Sequence, residues 1–528
     1  MRVPSCTVLF ASKTKGLKKL RQKDERNVVY ATMEDAEMDG HIYLCKEDLI
    51  GKALAKYPYM TSVGIMRGAT VLIKEKSLTV KDGHYALAGT EGAENELAQY
   101  CANCLTNNRP LETIDVAERL PTVEENQKII LSESQRAAVV GSLSHRLSII
   151  TGGPGSGKTT LLRSICGVFG AETLTDILLL APTGKAARRL AKQAHGAAHT
   201  IHSVLHSSRG KPYLDGEGCF RAKLIIVDEV SMVETAIMRD ILRALRDKSI
   251  LILVGDPAQL PSVGPGTVFA DMMACGFPVF ELTENFRLLE KSNALAENIQ
   301  RIRVKDAELT YDESFHMISA KTAGETESMM IELYVGLQLD GKSVQMLSPS
   351  GKTRRCSVNV LNTLAQGLVN PACTGTLEVP IGNQVYRVGD RIVQTQNNKY
   401  AMNGDVGTVV AIHSDGSLTM GINFDADGRT VEYKVEQIRR DHLLDHAYAL
   451  TVHKAQGSEY DYVILPMVPE QMFMWYNNMI YTAASRAKKA VILVGQEWML
   501  KRAIQRRLPA RNTELLKKVL MLSHQNVA

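Results

Sequence analysis

The stretch GGPGSGKT, residues 152–159, lies between an apolar run and a helix-like run. Its glycines let backbone N–H groups converge on a phosphate, and the positive end of the following helix points at the same place. Gly153, Pro154, Gly155, Ser156 and Gly157 form the cradle, and Lys158 is spaced to bridge the β- and γ-phosphates. Thr159 offers a hydroxyl to Mg²⁺, with Thr160 beside it. Asp228 and Glu229 end a second apolar run, IIVDE. The first suits Mg²⁺, usually through water; the second suits polarising a water that attacks the γ-phosphate. A kinase would need an acceptor pocket, so the pair favours hydrolysis. In GDPAQLPSVGPG, 255–266, Gln259 is placed to sense the γ-phosphate or its water and Asp256 to cap the turn. An ordinary Asx/proline turn accounts for that segment equally well.

Elements must hold these residues. LSIIT (147–151), ILLLAP (177–182), KLIIVDE (223–229) and SILILVGD (249–256) read as buried parallel strands separated by helices. Such alternation marks a doubly wound α/β domain. It resumes with SVQMLSP (343–349), HAYALTV (446–452), DYVILP (461–466) and AVILVG (490–495). Between them, over roughly 385–440, apolar residues alternate with period two between Gly and Asp turns, which predicts a small inserted antiparallel barrel. Residues 1–125 mix short strands and helices without a catalytic signature, and Pro121-Thr122 reads as a linker.

A chain of 528 residues suggests three or four domains of about 100–200 residues each. The net charge of +5 is too small to prove a polyanionic partner, so any nucleic-acid surface must be local. Basic clusters at 12–23 and 501–511 suit either phosphate contact or solvated helix faces. No apolar run is long enough for a membrane span, and the N-terminal residues do not read as an export signal. Nine scattered cysteines fit a reducing compartment. Cys101 and Cys104 form a CxxC with Cys45 and His41 upstream, but the helical spacing of 92–105 favours buried helix residues over a metal site.

The motifs SESQRAAV (132–139), TGGPGSGKTT (151–160), APTGKAARRL (181–190), AHTIHSVL (198–205), IVDEVSM (226–232), GDPAQLPSVGPG (255–266), LTENFR (282–287), AYALTVHKAQGSEYDYVILP (447–466) and YTAASRAKK (481–489) run in one order. That order resembles superfamily 1 helicases, and most closely the RecD-type branch. The resemblance covers about 28–498, including 346–371 and 389–412. Ala455 and Ser485 stand where that branch commonly has Ser and Thr. It implies an α/β fold with two RecA-like P-loop motor domains, an SH3-like β-barrel inserted in the second, and a mixed α/β N-terminal accessory domain. The expected division is 1–125 accessory, 126–285 first motor, 286–390 with 441–528 second motor, and 391–440 barrel. A short hairpin is expected at about 206–223.

The resemblance also implies roles. Gln135 reads adenine, Phe286 stacks on the base, and Arg287 and Arg486 approach the γ-phosphate from the facing domain. Gly457 and Glu459 touch phosphate and ribose. If both domains grip a strand, their closure on ATP moves one grip along it. The strand-contacting candidates are Pro182, Thr183, Lys185, Thr200 and His202 in the first domain, and Ser348, Asn397, Asn398, Thr451, His453 and Lys454 in the second. The expectation is a cytoplasmic, monomeric ATP- and Mg²⁺-dependent DNA helicase of a bacterial cell or phage-infected host. It would act on single-stranded DNA and duplex junctions with no membrane partner, and its 5′→3′ direction rests on the resemblance alone. The rival readings are a DNA-binding ATPase subunit of a nuclease complex that does not unwind, and an RNA helicase.

Overall fold

The computed structural model describes residues 25–108, 115–171, 173, 175–194, 196–206, 213–284, 286, 293–351, 354–414 and 416–525. The basic cluster at 12–23, Arg287 and the 207–212 part of the expected hairpin lie outside the described residues. Two parallel sheets dominate the fold. The first has six strands in the spatial order Ala198–Thr200, Ile177–Ala181, Leu224–Val227, Ile250–Gly255, Leu147–Gly152, Val279–Leu282. Leu147–Gly152, Leu224–Val227 and Ile250–Gly255 are buried at every position, as continuous apolar runs covered on both faces must be. The second has five strands, Phe315–Ser319, Ala487–Gly495, Tyr460–Met467, Val344–Ser348 and Ala449–Thr451. All neighbours in both sheets run parallel, so each sheet presents one edge of C-terminal strand ends. Ligands of open α/β sheets bind at such an edge.

The period-two segment folds as a five-stranded antiparallel barrel of Thr430–Lys434, Thr419–Phe424, Val406–His413, Arg391–Gln394 and Leu444–His446. Its interior is filled by Tyr386, Val409, Met420, Ile422 and Tyr433. Two sequence expectations shift here. VEQI does not extend the last hairpin strand but opens the Val435–Asp441 helix. HAYALTV is not one strand: His446 ends a barrel strand and Ala449–Thr451 joins the parallel sheet. The Asn362 side chain takes the backbone groups at the break, accepting from Ala449 N at 2.7 Å and donating to His446 O at 3.1 Å.

Pro121 is likewise not in a linker. It lies inside the Val116–Gln127 helix, capped by Asp115 through Glu118 N at 3.0 Å. Pro121 is the sixth residue of this helix and forgoes one helical hydrogen bond, and burial of Val116 and Leu120 with Leu161 and Ile165 outweighs that loss. Residues 28–87 of the accessory region pack a core of their own, around Val29, Leu49, Ile65 and Leu72, but the helix that follows leaves it. The Ala88–Thr106 helix packs Leu97, Ala98, Cys101 and Cys104 into the cluster under the first sheet. The two cysteines are thus packing residues, and burial raises both thiols. Cys45 caps the Lys46–Lys56 helix through Asp48 N, and His41 accepts from Asn512 N.

The tail departs from the expected division of the chain. The Leu515–Gln525 helix packs on Ala88–Thr106 and not on the second sheet, with Leu515 and Val519 in the first core. Buried Glu94 holds it there, accepting from Thr513 Oγ1 and Lys518 Nζ at 2.8 Å and from Glu514 N at 2.9 Å. Arg511, from the second basic cluster, spends its guanidinium on Ser262 O, Gly264 O and Gly266 O at 2.7–3.2 Å. No helix among the described residues is long and apolar enough to cross a membrane.

Candidate active site

The glycine-rich turn joins Leu147–Gly152 to the Lys158–Phe169 helix, with Gly155 and Gly157 at φ +78° and +75°. Only glycine adopts that backbone without strain. An added Cβ at Gly157 would lie 2.4 Å from Gln135 Nε2 and 3.1 Å from the Phe286 ring. The two residues expected to read and stack on a base therefore converge on the phosphate turn. Gln135 is fixed by a capping box with Ser132, accepting from Ser132 N at 3.0 Å, while its Nε2 donates to Ser156 O at 3.4 Å. Phe286 is held by its own N–H to Gly155 O at 3.0 Å. Lys158 Nζ donates to the turn carbonyls of Gly152 and Gly153 at 2.6 and 2.8 Å, and Thr159 donates to Gln193 Oε1 at 3.0 Å.

Asp228 and Glu229 follow Leu224–Val227, two strands from the phosphate turn across Ile250–Gly255, and are both buried. Glu229 adopts φ +55°, a left-handed conformation that costs a non-glycine residue about 1–2 kcal/mol, with its N–H on Asp228 Oδ1 at 2.8 Å. Burial and the adjacent Glu229 raise the Asp228 carboxyl. Burial also opposes the charge on Glu229, but Arg189, Arg486 and Lys158 outweigh it and lower that carboxyl. Paired acceptor oxygens beside a lysine and a threonine hydroxyl form a donor set that fits a magnesium–triphosphate.

The next strand end supplies Asp256, which caps its turn through Ala258 N at 3.1 Å. Gln259 is clasped between Asp256 and Arg486, at 3.4 and 3.3 Å. Arg486 is buried and also donates to Ser485 Oγ at 3.0 Å and Thr482 O at 3.1 Å. It comes from the segment after the Asn477–Ala484 helix, so a second-sheet cation reaches a first-sheet sensor. Gly457 packs against the first sheet's unit, where an added Cβ would lie 3.4 Å from Ala186 Cβ and 3.5 Å from Thr183 Oγ1. Glu459 is 3.7 Å from Lys488 Nζ.

Three regions of the chain match family descriptions. Residues 130–322 match an AAA domain, 361–424 an ATP-dependent RecD-like DNA helicase SH3 domain, and 446–494 a UvrD-like helicase C-terminal domain. The ATP-dependent RecD2 DNA helicase of Deinococcus radiodurans is 33% identical over 394 residues, 74% of this chain and 52% of that protein. The RecBCD enzyme subunit RecD of Mycolicibacterium smegmatis is 29% identical over 429 residues, 73% of this chain and 75% of its own. The chain belongs to the RecD-type branch of superfamily 1. It spans about half the length of the Deinococcus relative. A Pif1 helicase solved at forked duplex DNA covers 70% of this chain at 21% identity and a TM-score of 0.46.

The RecD-type motifs also place the strand-contacting candidates. Pro182, Thr183 and Lys185 follow one strand of the first sheet, and Thr200 ends another. Thr183 and Thr200 cap helices through Ala186 N and Ser203 N, both at 3.2 Å; Lys185 Nζ lies 5.6 Å from the Tyr460 ring centre, and His202 packs on His206. In the second unit Thr451 caps the next turn through Lys454 N, Lys454 pairs with Asp445 at 2.9 Å, and His453 is half-buried, which lowers its imidazole. Asn397 accepts from Asn403 N at 2.7 Å; Asn398 accepts from Ala401 N at 2.8 Å and donates to Tyr433 OH at 3.3 Å. Ser348 departs from its expectation. It is fully buried, its hydroxyl donates to Cys356 O at 2.7 Å, and it faces no strand. Among the described residues of the 206–223 insertion, Leu214 bridges to Phe220 around an Asp215–Gly218 turn. Phe220 is fully buried in the first core and therefore anchors the turn, while Tyr213 packs on His199 at 4.3 Å.

Sequence reasoning missed four side chains that complete the site. Arg189 donates to Glu229 Oε1 at 2.6 Å and lies 3.6 Å from Asp228. Tyr481 OH donates to Asp256 Oδ2 at 2.7 Å, Thr482 Oγ1 accepts from Leu260 N at 2.9 Å, and Asn478 donates to Ala258 O at 2.9 Å. The signal was present in the sequence: Arg189 is inside APTGKAARRL, and Tyr481-Thr482 open YTAASRAKK.

Proposed function

We propose that this chain is an ATP-dependent DNA helicase that translocates 5′→3′ along one strand and separates the duplex ahead of it. The observation that carries the reading is the clasp of Gln259 between Asp256 of the first sheet and Arg486 beside the second. A γ-phosphate sensor gripped from both sheets makes hydrolysis depend on closure. In this reading Gly153 to Gly157 and Thr160 cradle the phosphates, and Gln135 and Phe286 take the base. Lys158 meets the β- and γ-phosphates, Thr159 and Asp228 would hold Mg²⁺, and Glu229 orients the attacking water. Mg²⁺ would supply charge neutralisation on the phosphates. Arg287 acts with Arg486, and Gly457 and Glu459 complete the second wall.

Pro182, Thr183, Lys185, Thr200 and His202 on one side grip the strand without reading bases; Asn397, Asn398, Thr451, His453 and Lys454 do so on the other. The barrel, within the proposed 391–440 unit, helps hold the strand, and the protein works as a cytoplasmic monomer on single-stranded DNA and junctions. A strand-displacement assay on DNA and RNA duplexes with 5′ or 3′ tails tests the reading. Opening of the 5′-tailed DNA duplex is expected. Opening of the 3′-tailed duplex alone overturns the direction, and opening of RNA alone overturns the substrate. ATP hydrolysis stimulated by single strands without displacement favours the non-unwinding subunit.

A further inference from the structure

We propose that the Gly184–Ala194 helix is a lever joining the inserted barrel to the nucleotide cleft, so that what the barrel holds is felt at Asp228 and Glu229. The inference rests on the motor reading above and names a coupling that none of the roles assigned above contains. Two consecutive arginines carry it. Successive helical residues point about 100° apart, so Arg188 and Arg189 leave the helix in different directions. Arg189 reaches inward to Glu229 Oε1 at 2.6 Å and toward Asp228 at 3.6 Å. Arg188 reaches outward and pairs with Asp405 of the barrel, whose side chain is only 3% exposed.

The barrel side of this contact is built as a rigid corner. Asp405 Oδ2 accepts from Met402 N at 2.8 Å, Asp405 N donates to Met402 O at 3.0 Å, and Gln394 N donates to Asp405 O at 2.7 Å. Met402 then seats its side chain over the start of the helix. An added Cβ at Gly184 would fall 1.9 Å from the Met402 sulfur, so the glycine makes room for the barrel. The same loop carries Asn397, which accepts from Asn403 N at 2.7 Å. A strand seated on this loop therefore pushes on a corner clamped to the helix at two points.

The helix can pass that push on. Ala186, Ala187 and Leu190 are buried along it, and close-packed interiors transmit displacement instead of absorbing it. A shift of the helix changes how Arg189 holds the two carboxylates. By linkage, nucleotide in the cleft must alter how the barrel is held by the same factor.

The test uses the full chain, a fluorescent non-hydrolysable ATP analogue and oligo(dT). Analogue Kd is measured by anisotropy with and without saturating oligo(dT). In the wild type the strand should change the Kd at least threefold. In Arg188→Gln and in Asp405→Asn, which keeps an acceptor for Met402 N, that factor should fall below twofold. The double variant should lose no more than either single one, and Arg188→Lys should retain at least twofold. A factor of twofold or more in Arg188→Gln, or losses that add in the double variant, overturns the lever. So does a wild type that binds both ligands independently. Should the wild type bind the analogue but no nucleic acid, the motor reading fails instead. The lever is then read from the analogue Kd alone, which Arg188→Gln must shift at least twofold; a smaller shift overturns it.

Discussion

Tyr481→Phe removes one oxygen from the interface between the two sheets and leaves its shape intact. The hydroxyl donates to Asp256 Oδ2 at 2.7 Å, and both residues are buried. Asp256 would keep Ala258 N at 3.1 Å and Gln259 Nε2 at 3.4 Å, so its shortest side-chain partner is the one lost. A hydrogen bond to a buried charged group is worth about 1.5–3 kcal/mol. At about 1.4 kcal/mol per decade, that is roughly 10- to 150-fold in an equilibrium. Part of the loss appears as stability. At about 2–4 °C per kcal/mol for a unit of this size, the whole of it would lower Tm by about 3–12 °C, and what a tenfold loss of turnover leaves lowers Tm by at most about 6 °C. The rest appears in turnover, because Asp256 is one of the two groups that hold the Gln259 side chain, and Arg486 is the other. We expect kcat for nucleic-acid-stimulated ATP hydrolysis to drop about tenfold and KM for ATP to change less than threefold. Thermal melting and steady-state ATPase measure both terms. A variant with kcat within twofold of wild type and Tm within about 1 °C would falsify the clasp as a coupling element, since the energy could then be in neither place.

Lys158→Ala should abolish ATPase while oligo(dT) binding by anisotropy stays within about threefold, because the lysine faces phosphate and not the track; turnover within about tenfold of wild type would refute the role. Glu229→Gln should keep nucleotide binding, stall hydrolysis and slow release from single strands, read by stopped-flow dissociation with ATP present. Normal turnover in that variant would remove Glu229 as the water-orienting group. Glu94→Ala leaves Lys518, Tyr43 and Thr513 without their shared acceptor. Breaking such a buried pair costs about 3–5 kcal/mol, so the 506–525 tail should become sensitive to brief trypsin treatment and Tm should drop; unchanged protection would count against the tail as a clasp.

The strands and the phosphate turn were legible because their signals are local. A buried parallel strand must be mostly apolar on both faces, and a phosphate cradle must place glycine where φ is positive. Gly155, Gly157 and the run ending at Asp228 therefore carry their structure in their own types. Three other features were set by partners distant in sequence. Ser348 resembles a loop hydroxyl until Cys356 O and Gln471 Nε2 are brought to it. Pro121 resembles a break until Leu120 is packed against the phosphate-turn helix. Arg511 resembles a solvated charge until the 262–266 loop folds over it.

Arg188 and Arg189 sharpen the same lesson into a statement about function. In the sequence they are two cations on one amphipathic helix, and either would pass for a surface charge. What separates them is the pair of carboxylates each meets, one 217 positions away in the barrel and one 40 positions away in the cleft. A motor needs its catalytic groups on rigid strand ends, where motifs are readable, and its coupling groups on the faces between units, where only tertiary contacts give them meaning. The family motifs name the residues that meet the nucleotide. In the proposed motor the contacts that pass closure on to a strand are made by other residues of those same motifs, at Arg188, Arg189, Tyr481 and Thr482, and substitutions there should separate hydrolysis from movement.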